Sequence, residues 1–330
     1  MRTMLWGVLG LCVGVVVGWF ALREAEWGDA FRSIRGLDPR MIVLAIGAVL
    51  FAGLLEAVRW KFLLPQQKVS IRRLFLVRNT AQGLNNVSPV RMLSDITQGA
   101  MLRFGDGVHT DKIVSSLLIA RLFDALITIS LVGGGLFVLP QLAGFREVVI
   151  PVWGLLAVSM AIVIVLASKP RLLARVPRPA FLSPVIESMR TVMVNLSVVA
   201  GCALLTATAW MSIATAAWLV ALAADIHLPF WLMGIVIVGV SIFSGAVPAP
   251  PGAIGVYEFA VISTLGLFAV DPSQALAFAL AIHAILFLPA VVIGTVVLAT
   301  DRRTLRHVLG ASARAFRRRR AVPEPAPALL

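Results

Sequence analysis

An all-α, polytopic membrane protein is the fold class this sequence predicts, on three observations. Apolar residues make up 59% of the 330 and charged residues only 14%. Mean hydropathy is +0.94, outside the range of soluble domains. About eight apolar segments approach or exceed the ~20 residues that a helix needs to cross a bilayer, and two stretches, near 85–104 and 245–258, are broken or re-entrant.

In chain order, the first segment, 4–22, has the length of a signal peptide, but Arg23 and Glu24 follow it without a small-residue cleavage pattern, so an uncleaved first helix is expected. A span at about 39–60 leads into a polar, basic segment at 61–78. The half-apolar stretch 79–104 is too interrupted to cross simply. Spans follow at about 113–139, 148–168, 195–223 and 229–247. A broken stretch then opens 251–270, for which full crossing and re-entry both stay open, and the last span covers 274–299. Residues 1–300 thus read as one transmembrane domain, 301–320 as a basic amphipathic cytoplasmic segment and 321–330 as a disordered tail.

The net charge of +13 reflects topology rather than nucleic acid, because the basic residues sit beside apolar runs. Arg59, Lys61, Lys68, Arg72, Arg73 and Arg78 form one cluster, and Lys169, Arg171, Arg175, Arg178 and Arg190 another. The tail holds a third, ending in Arg317 to Arg320, whereas the turns near 225 and 271 have no Lys or Arg. The rich segments belong in the cytoplasm, which puts both termini there, in a cytoplasmic (inner) membrane. The four arginines of the 23–40 loop fit this less well. In the tail, Leu305, Val308, Leu309, Ser312 and Phe316 recur at helical spacing. That suits either a helix on anionic inner-leaflet lipid or an ordinary stop-transfer anchor. Cys12 and Cys202 fall in apolar segments and read as buried thiols.

The stretch "GAVPAPPGAIGVYEFA", 245–260, combines three prolines, three glycines and one carboxylate. Pro248, Pro250 and Pro251 remove amide donors, while Gly252 and Gly255 permit close backbone approach. An earlier stretch, "NNVSPVRMLSDITQGAMLRFGDG", 85–107, has Pro89 six residues before Asp95, as Gly252 stands six before Glu258. The match is short and hints at an internal repeat. Irregular backbone at membrane depth persists only inside protein or beside a water-filled cavity, and paired breaks in two halves of a transporter point to a substrate site. The competing reading is a hairpin turn at the membrane surface.

Charges inside apolar runs sharpen the choice. Arg121 and Asp124, three apart, share a helix face and can neutralise each other, either beside a substrate or as a structural pair. Glu56 and Arg59, next to Trp60 and Lys61, read as interfacial anchors. His283 reads as a packed polar residue rather than a proton carrier. Glu258 has no basic residue nearby in sequence, so the expectation is an arginine from the other break, Arg91 or Arg103. It is expected about two turns into a helix that begins inside the membrane, where the field of the helix start has faded.

The motifs "NNVSPVRMLSD", "RLFD" and "VPAPPGAIGVYE" resemble the flippase-like family of the lysylphosphatidylglycerol synthase transmembrane region, over most of 40–300. Where that family has Gly-Glu, this chain has Ser94-Asp95, which keeps the acid. The resemblance implies movement of a lipid, or a lipid-linked head group, across the cytoplasmic membrane. The 330 residues contain no long polar stretch for a cytoplasmic aminoacyl-transfer domain, so that activity is not expected.

The binding set expected is Asn85, Asn86, Arg91, Asp95, Arg103, Arg121, Asp124 and Glu258, with Arg91, Arg103 and Arg121 holding an anionic phosphate in a cavity built from the two breaks. The partner is an anionic or lipid-linked membrane lipid, and no nucleic acid. The alternative is a membrane enzyme, or an accessory subunit of one, acting on polyprenyl-linked or glycerophospholipid substrates. Against it, the sequence has no Gly-x-Ser-x-Gly, no phosphate-loop glycines and no His or Cys cluster at metal-ligand spacing, so no cofactor or metal is expected. Oligomeric state is left open.

Overall fold

A computed structural model describes residues 32–88, 93–138, scattered positions between 147 and 158, and residues 182–246 and 250–300. The expected first helix at 4–22, most of 148–168, the tail from 301, and Pro89, Arg91 and Pro248 lie outside these. Among the described residues every element is helical.

The first, α1 (Pro39–Leu63), starts where Asp38 accepts the Arg40 amide and Pro39 supplies a preset φ. It runs toward the basic cluster, whose side is called here the basic side. After a short loop, α2 (Ile71–Val87) begins under the Ser70 cap. It is followed by α3 (Leu93–Ala100), a π-turn (Met101–Gly105) and the long α4 (Thr110–Val138). Then come α5 (Leu182–Met193), α6 (Leu196–Ala223), α7 (Phe230–Ala246), a 3-10 turn (Pro251–Ala253), α8 (Val256–Gly266) and α9 (Pro272–Thr300). Four of these, α1, α4, α6 and α9, are long and apolar enough to cross a membrane.

The two breaks make two re-entrant hairpins. Arg73, at the start of α2, bonds Asp106, just past the π-turn, at 3.1 Å. The chain therefore goes in along α2 and returns along α3 to the basic side. The second hairpin enters from the far side. In α9, Ala290 packs on Gly83 and Gly294 on Thr80, so α9 runs antiparallel to α2 and ends on the basic side. A five-residue turn joins α8 to the start of α9, so α8 returns to the far side, where α6 ended and α7 began. At 1.5 Å per residue the 11 residues of α8 reach only about 16 Å. The segment read as a span at 229–247 is therefore one arm of a hairpin, the stretch 251–270, for which crossing and re-entry were both open, is its returning arm, and the polar segment read at 61–78 is mostly helix. Neither change alters the parity of crossings.

Packing follows composition. α1 and α6 run antiparallel with small residues between them, Ala45, Ala52 and Ala57 on one and Ala209, Ala216 and Ala217 on the other, which allows close backbone approach without a polar driving force. A Cβ at Gly83 would overlap the Ala290 carbonyl, so α2 and α9 touch backbone to backbone. Two hydrophobic cores result. The far-side core gathers the ends of α6 and α8 with α7 and the first half of α9. The basic-side core gathers the end of α1, α2, the π-turn, α4 and α5. Large apolar side chains such as Leu44, Phe51, Leu204 and Val292 point outward, as lipid-facing positions should.

Candidate functional site

A polar cavity of about 350 Å³ lies at the seam between the two cores. Its charged wall comes from three elements: Glu56 and Arg59 of α1, Arg78 of α2, and Arg121 and Asp124 of α4. Asn79, Gln82, Ser94 and Gln98 add amides and a hydroxyl, and Trp60, Trp210, Leu286 and Pro289 close the remainder.

The charges pair between elements rather than along them. Arg59 donates to both carboxylate oxygens of Asp124, at 2.7 and 3.2 Å, and to the Thr206 hydroxyl at 2.8 Å. It is 4% exposed, and its Nε has no partner. Arg78 Nε donates to Glu56. Arg121 donates to Asp95, in the first turn of α3, at 2.9 Å. The Arg121 side chain is 62% exposed, and its remaining N–H groups make no hydrogen bond with a described residue.

This corrects two expectations. Arg121 and Asp124 share a helix face but do not neutralise each other, because each finds a closer opposite charge on another helix. Glu56 and Arg59 are not interfacial anchors, since close packing of α1 on α6 takes their end of the helix inside. The signal for the missed Arg78 and Gln82 is a stripe: with the expected Asn85 and Asn86 they fall at i, i+4, i+7 and i+8 on α2.

The other expected residues lie elsewhere. Arg103 is exposed on the π-turn and pairs with no described residue. Asn85, Asn86, Pro250 and Gly252 line a second cavity of about 390 Å³, where the hairpin tips meet. Asn86 donates there to the Phe287 carbonyl of α9 at 3.3 Å. Gly252 has φ +71°, and a Cβ on it would stand 2.7 Å from the Phe287 ring. Only glycine satisfies both demands.

Glu258 does not take an arginine among the described residues. Its carboxylate lies 2.6 Å from His283 Nδ1 and accepts the Gly255 amide at 2.7 Å. The helix starts at Val256, with Gly255 as its cap at φ +84°, so Glu258 stands in the first turn. There its carboxylate satisfies a freed donor and meets the positive end of the helix. The extra irregular residues at 251–255 shift the start and remove the need for an arginine. The arginine cavity is therefore built from α1, α2 and α4 with α3 behind, and the second break forms a separate cavity.

The sequence profile of the family described as "Lysylphosphatidylglycerol synthase TM region" matches residues 7–294. The chain belongs to this family. No curated protein matches it. The chain is thus a multi-pass membrane protein of a family tied to lipid handling.

Proposed function

We propose that this protein moves a lipid, or a lipid-linked head group, across the cytoplasmic membrane, holding an anionic phosphate at the arginine cavity on the way. One observation carries the reading: Arg59, Arg78 and Arg121 converge from three helices on one cavity inside a transmembrane domain. Charges at membrane depth are costly, and their usual use is a substrate path. Arg121 is the group with donors to spare, and its planar fork suits a phosphate. Asp95 orients it from the returning arm of the first hairpin.

A neighbouring groove supports a lipid rather than a free anion. It holds about 650 Å³ between α1 and α9 and is lined by apolar side chains, among them Ile42, Ile46 and Leu288. Leu50 and Pro289 belong to the walls of both groove and cavity. An acyl or prenyl chain in the groove would leave its phosphate beside the arginines.

In this reading the basic side faces the cytoplasm, as the Lys and Arg distribution favours. Reporter fusions after Leu142 and Ile226 should report the periplasm, and fusions after Arg178 and Leu309 the cytoplasm. A periplasmic signal at Arg178 would reverse the direction. The functional test is reconstitution in vesicles carrying lipids with quenchable fluorescent labels. Movement of an anionic phospholipid should exceed that in empty vesicles and fall at least tenfold in Arg121→Gln. Equal movement by the variant and the unaltered chain would refute the phosphate role.

A further inference from the structure

Glu258 and His283 form a pair of a kind the seam lacks, because one member is a histidine, whose ordinary charge change falls between about pH 5 and pH 8. His283 lies about three turns into α9, roughly 16 Å from its far-side start. Its Nδ1 is 2.6 Å from one oxygen of Glu258, and the other oxygen accepts the Gly255 amide. A carboxylate only accepts, so Nδ1 donates, and in the neutral ring the lone pair sits on Nε2. Nε2 makes no hydrogen bond with a described residue. The side chain is 14% exposed and forms part of the wall of the cavity at the hairpin tips. A proton brought by water into that cavity therefore has a base to meet.

The surroundings can hold the ring in its charged form. The Tyr257 ring lies over the imidazole, with centroids 4.4 Å and planes 33° apart, close enough for an aromatic face to attract a cation. Phe287 stands nearly at right angles to the imidazole, with centroids 5.9 Å apart. A packed polar residue needs one hydrogen bond, whereas this one has an acid, an aromatic face and a second nitrogen toward a cavity. Among the described residues, α7, which packs on α8, has no titratable side chain, and α6 has Cys202 alone, in the basic-side core. Facing the pair, α2 presents Asn85 and Asn86, while its Arg72 and Arg73 stand at the basic end. The charges of α1 and α2 at membrane depth, Glu56, Arg59 and Arg78, are paired in the seam cavity.

The tip cavity adjoins the arginine cavity, since Gln82 and Leu286 line both, and Leu286 is one turn from His283 on α9. An anionic head group that leaves the arginines for the far side thus passes the pair. With a neutral imidazole the pair carries one net negative charge, which opposes a phosphate strongly where water is scarce. With a proton on Nε2 the pair is neutral and the opposition is gone. We propose that the Glu258–His283 pair is a proton-binding site and that lipid movement is linked to it, one proton travelling with each anionic phosphate. The proton is taken up from water at Nε2 and released from the same nitrogen, and no other bond forms or breaks. The inference rests on the proposed phosphate site and adds what drives movement through it.

The test uses the full chain in vesicles with labelled phosphatidylglycerol. A gradient of one pH unit is worth about tenfold for a one-proton step, so with acid outside the label should accumulate in the inner leaflet by up to about tenfold. Reversing the gradient should deplete that leaflet, and a potassium–proton ionophore should restore an even distribution. In His283→Gln, and in Glu258→Gln, the distribution should stay even under either gradient, whatever the rate at which it is reached. A second measurement needs no change to the pair. With His109, His227 and His307 replaced by glutamine, nitrogen NMR of labelled histidine in nanodiscs reads His283 alone. Nδ1 should carry the only proton at about pH 8, and both nitrogens should be protonated on acidification toward about pH 5. A signal unchanged across that range would make the pair a fixed helix cap and overturn the inference. So would label that moves yet stays even under both gradients, or accumulation that survives His283→Gln. The phosphate reading is judged separately, at equal pH on both sides: it fails if Arg121→Gln moves the lipid as fast as the unaltered chain. If the unaltered chain moves none, the coupling falls with it.

Discussion

The two cavities differ in how their polar groups are satisfied. At the seam, every acid and base is matched by an opposite charge on another helix: Arg59 with Asp124, Arg78 with Glu56, Arg121 with Asp95. At the hairpin tips, the charged group is satisfied locally, by an amide three residues away and by the adjoining helix, while hydroxyls are left over. The first arrangement sets charge against charge between helices, and the second combines one contact between helices with the course of a broken backbone. Disturbing each should therefore have a different signature.

The largest expected loss is at the seam. Arg59→Ala leaves Asp124 without its partner inside the protein, a change of the kind that costs about 3–5 kcal/mol. The expected result is a large drop in melting temperature in detergent, with Arg59→Ala combined with Asp124→Ala melting above either single variant. A single variant as stable as the unaltered chain would break the comparison. Next is Gly252→Ala at the tips. The left-handed backbone and the Phe287 ring together cost about 1–3 kcal/mol. Trimming Phe287 to leucine should return only the steric share, and full recovery would show that the backbone is unstrained.

Glu258→Ala should cost about 1 kcal/mol, the worth of an acid in a first helical turn. Glu258→Gln should lose less, because its side-chain oxygen can still accept the Gly255 amide. A loss as large as that of Arg59→Ala would mean the tips are as charge-dependent as the seam. Smallest in stability is Arg121→Gln, below about 1 kcal/mol for an exposed pair, although lipid movement should be lost. A variant that melts much lower would make Arg121 structural and remove its claim to the substrate.

Much of the fold was legible from apolar run lengths, since α1, α4, α6 and α9 stand where long apolar stretches predict them. The breaks were legible from proline and glycine, because those residues act on their own backbone. The hairpins were harder. Re-entry depends on which side a short helix ends, and α8 is recognisable as half a crossing only from its turn into α9. Pairing was least legible. Arg121 and Asp124 are well spaced for each other, yet partners 26 and 65 residues away take them. Local spacing shows which charges share a face, not what that face meets. Likewise the Glu258 partner lies 25 residues on, in a helix whose lone histidine gave no sign of a role.

The contact of Gly83 with Ala290 bears on how the protein is made. α2 carries Arg72, Arg73, Arg78, Asn79, Gln82, Asn85 and Asn86, too many polar groups to partition alone into hydrocarbon. The helix that covers it, α9, leaves the ribosome about 200 residues later, roughly 10–40 s at usual synthesis rates. Throughout that interval the first hairpin has no finished berth and must wait at the membrane surface or in the shelter of the insertion machinery. Biogenesis is thus split, with the long helices threaded in order and the N-terminal hairpin seated after the C-terminal one. A chain stopped before Pro272 should leave residues 71–105 open to protease, and extension through Thr300 should close them.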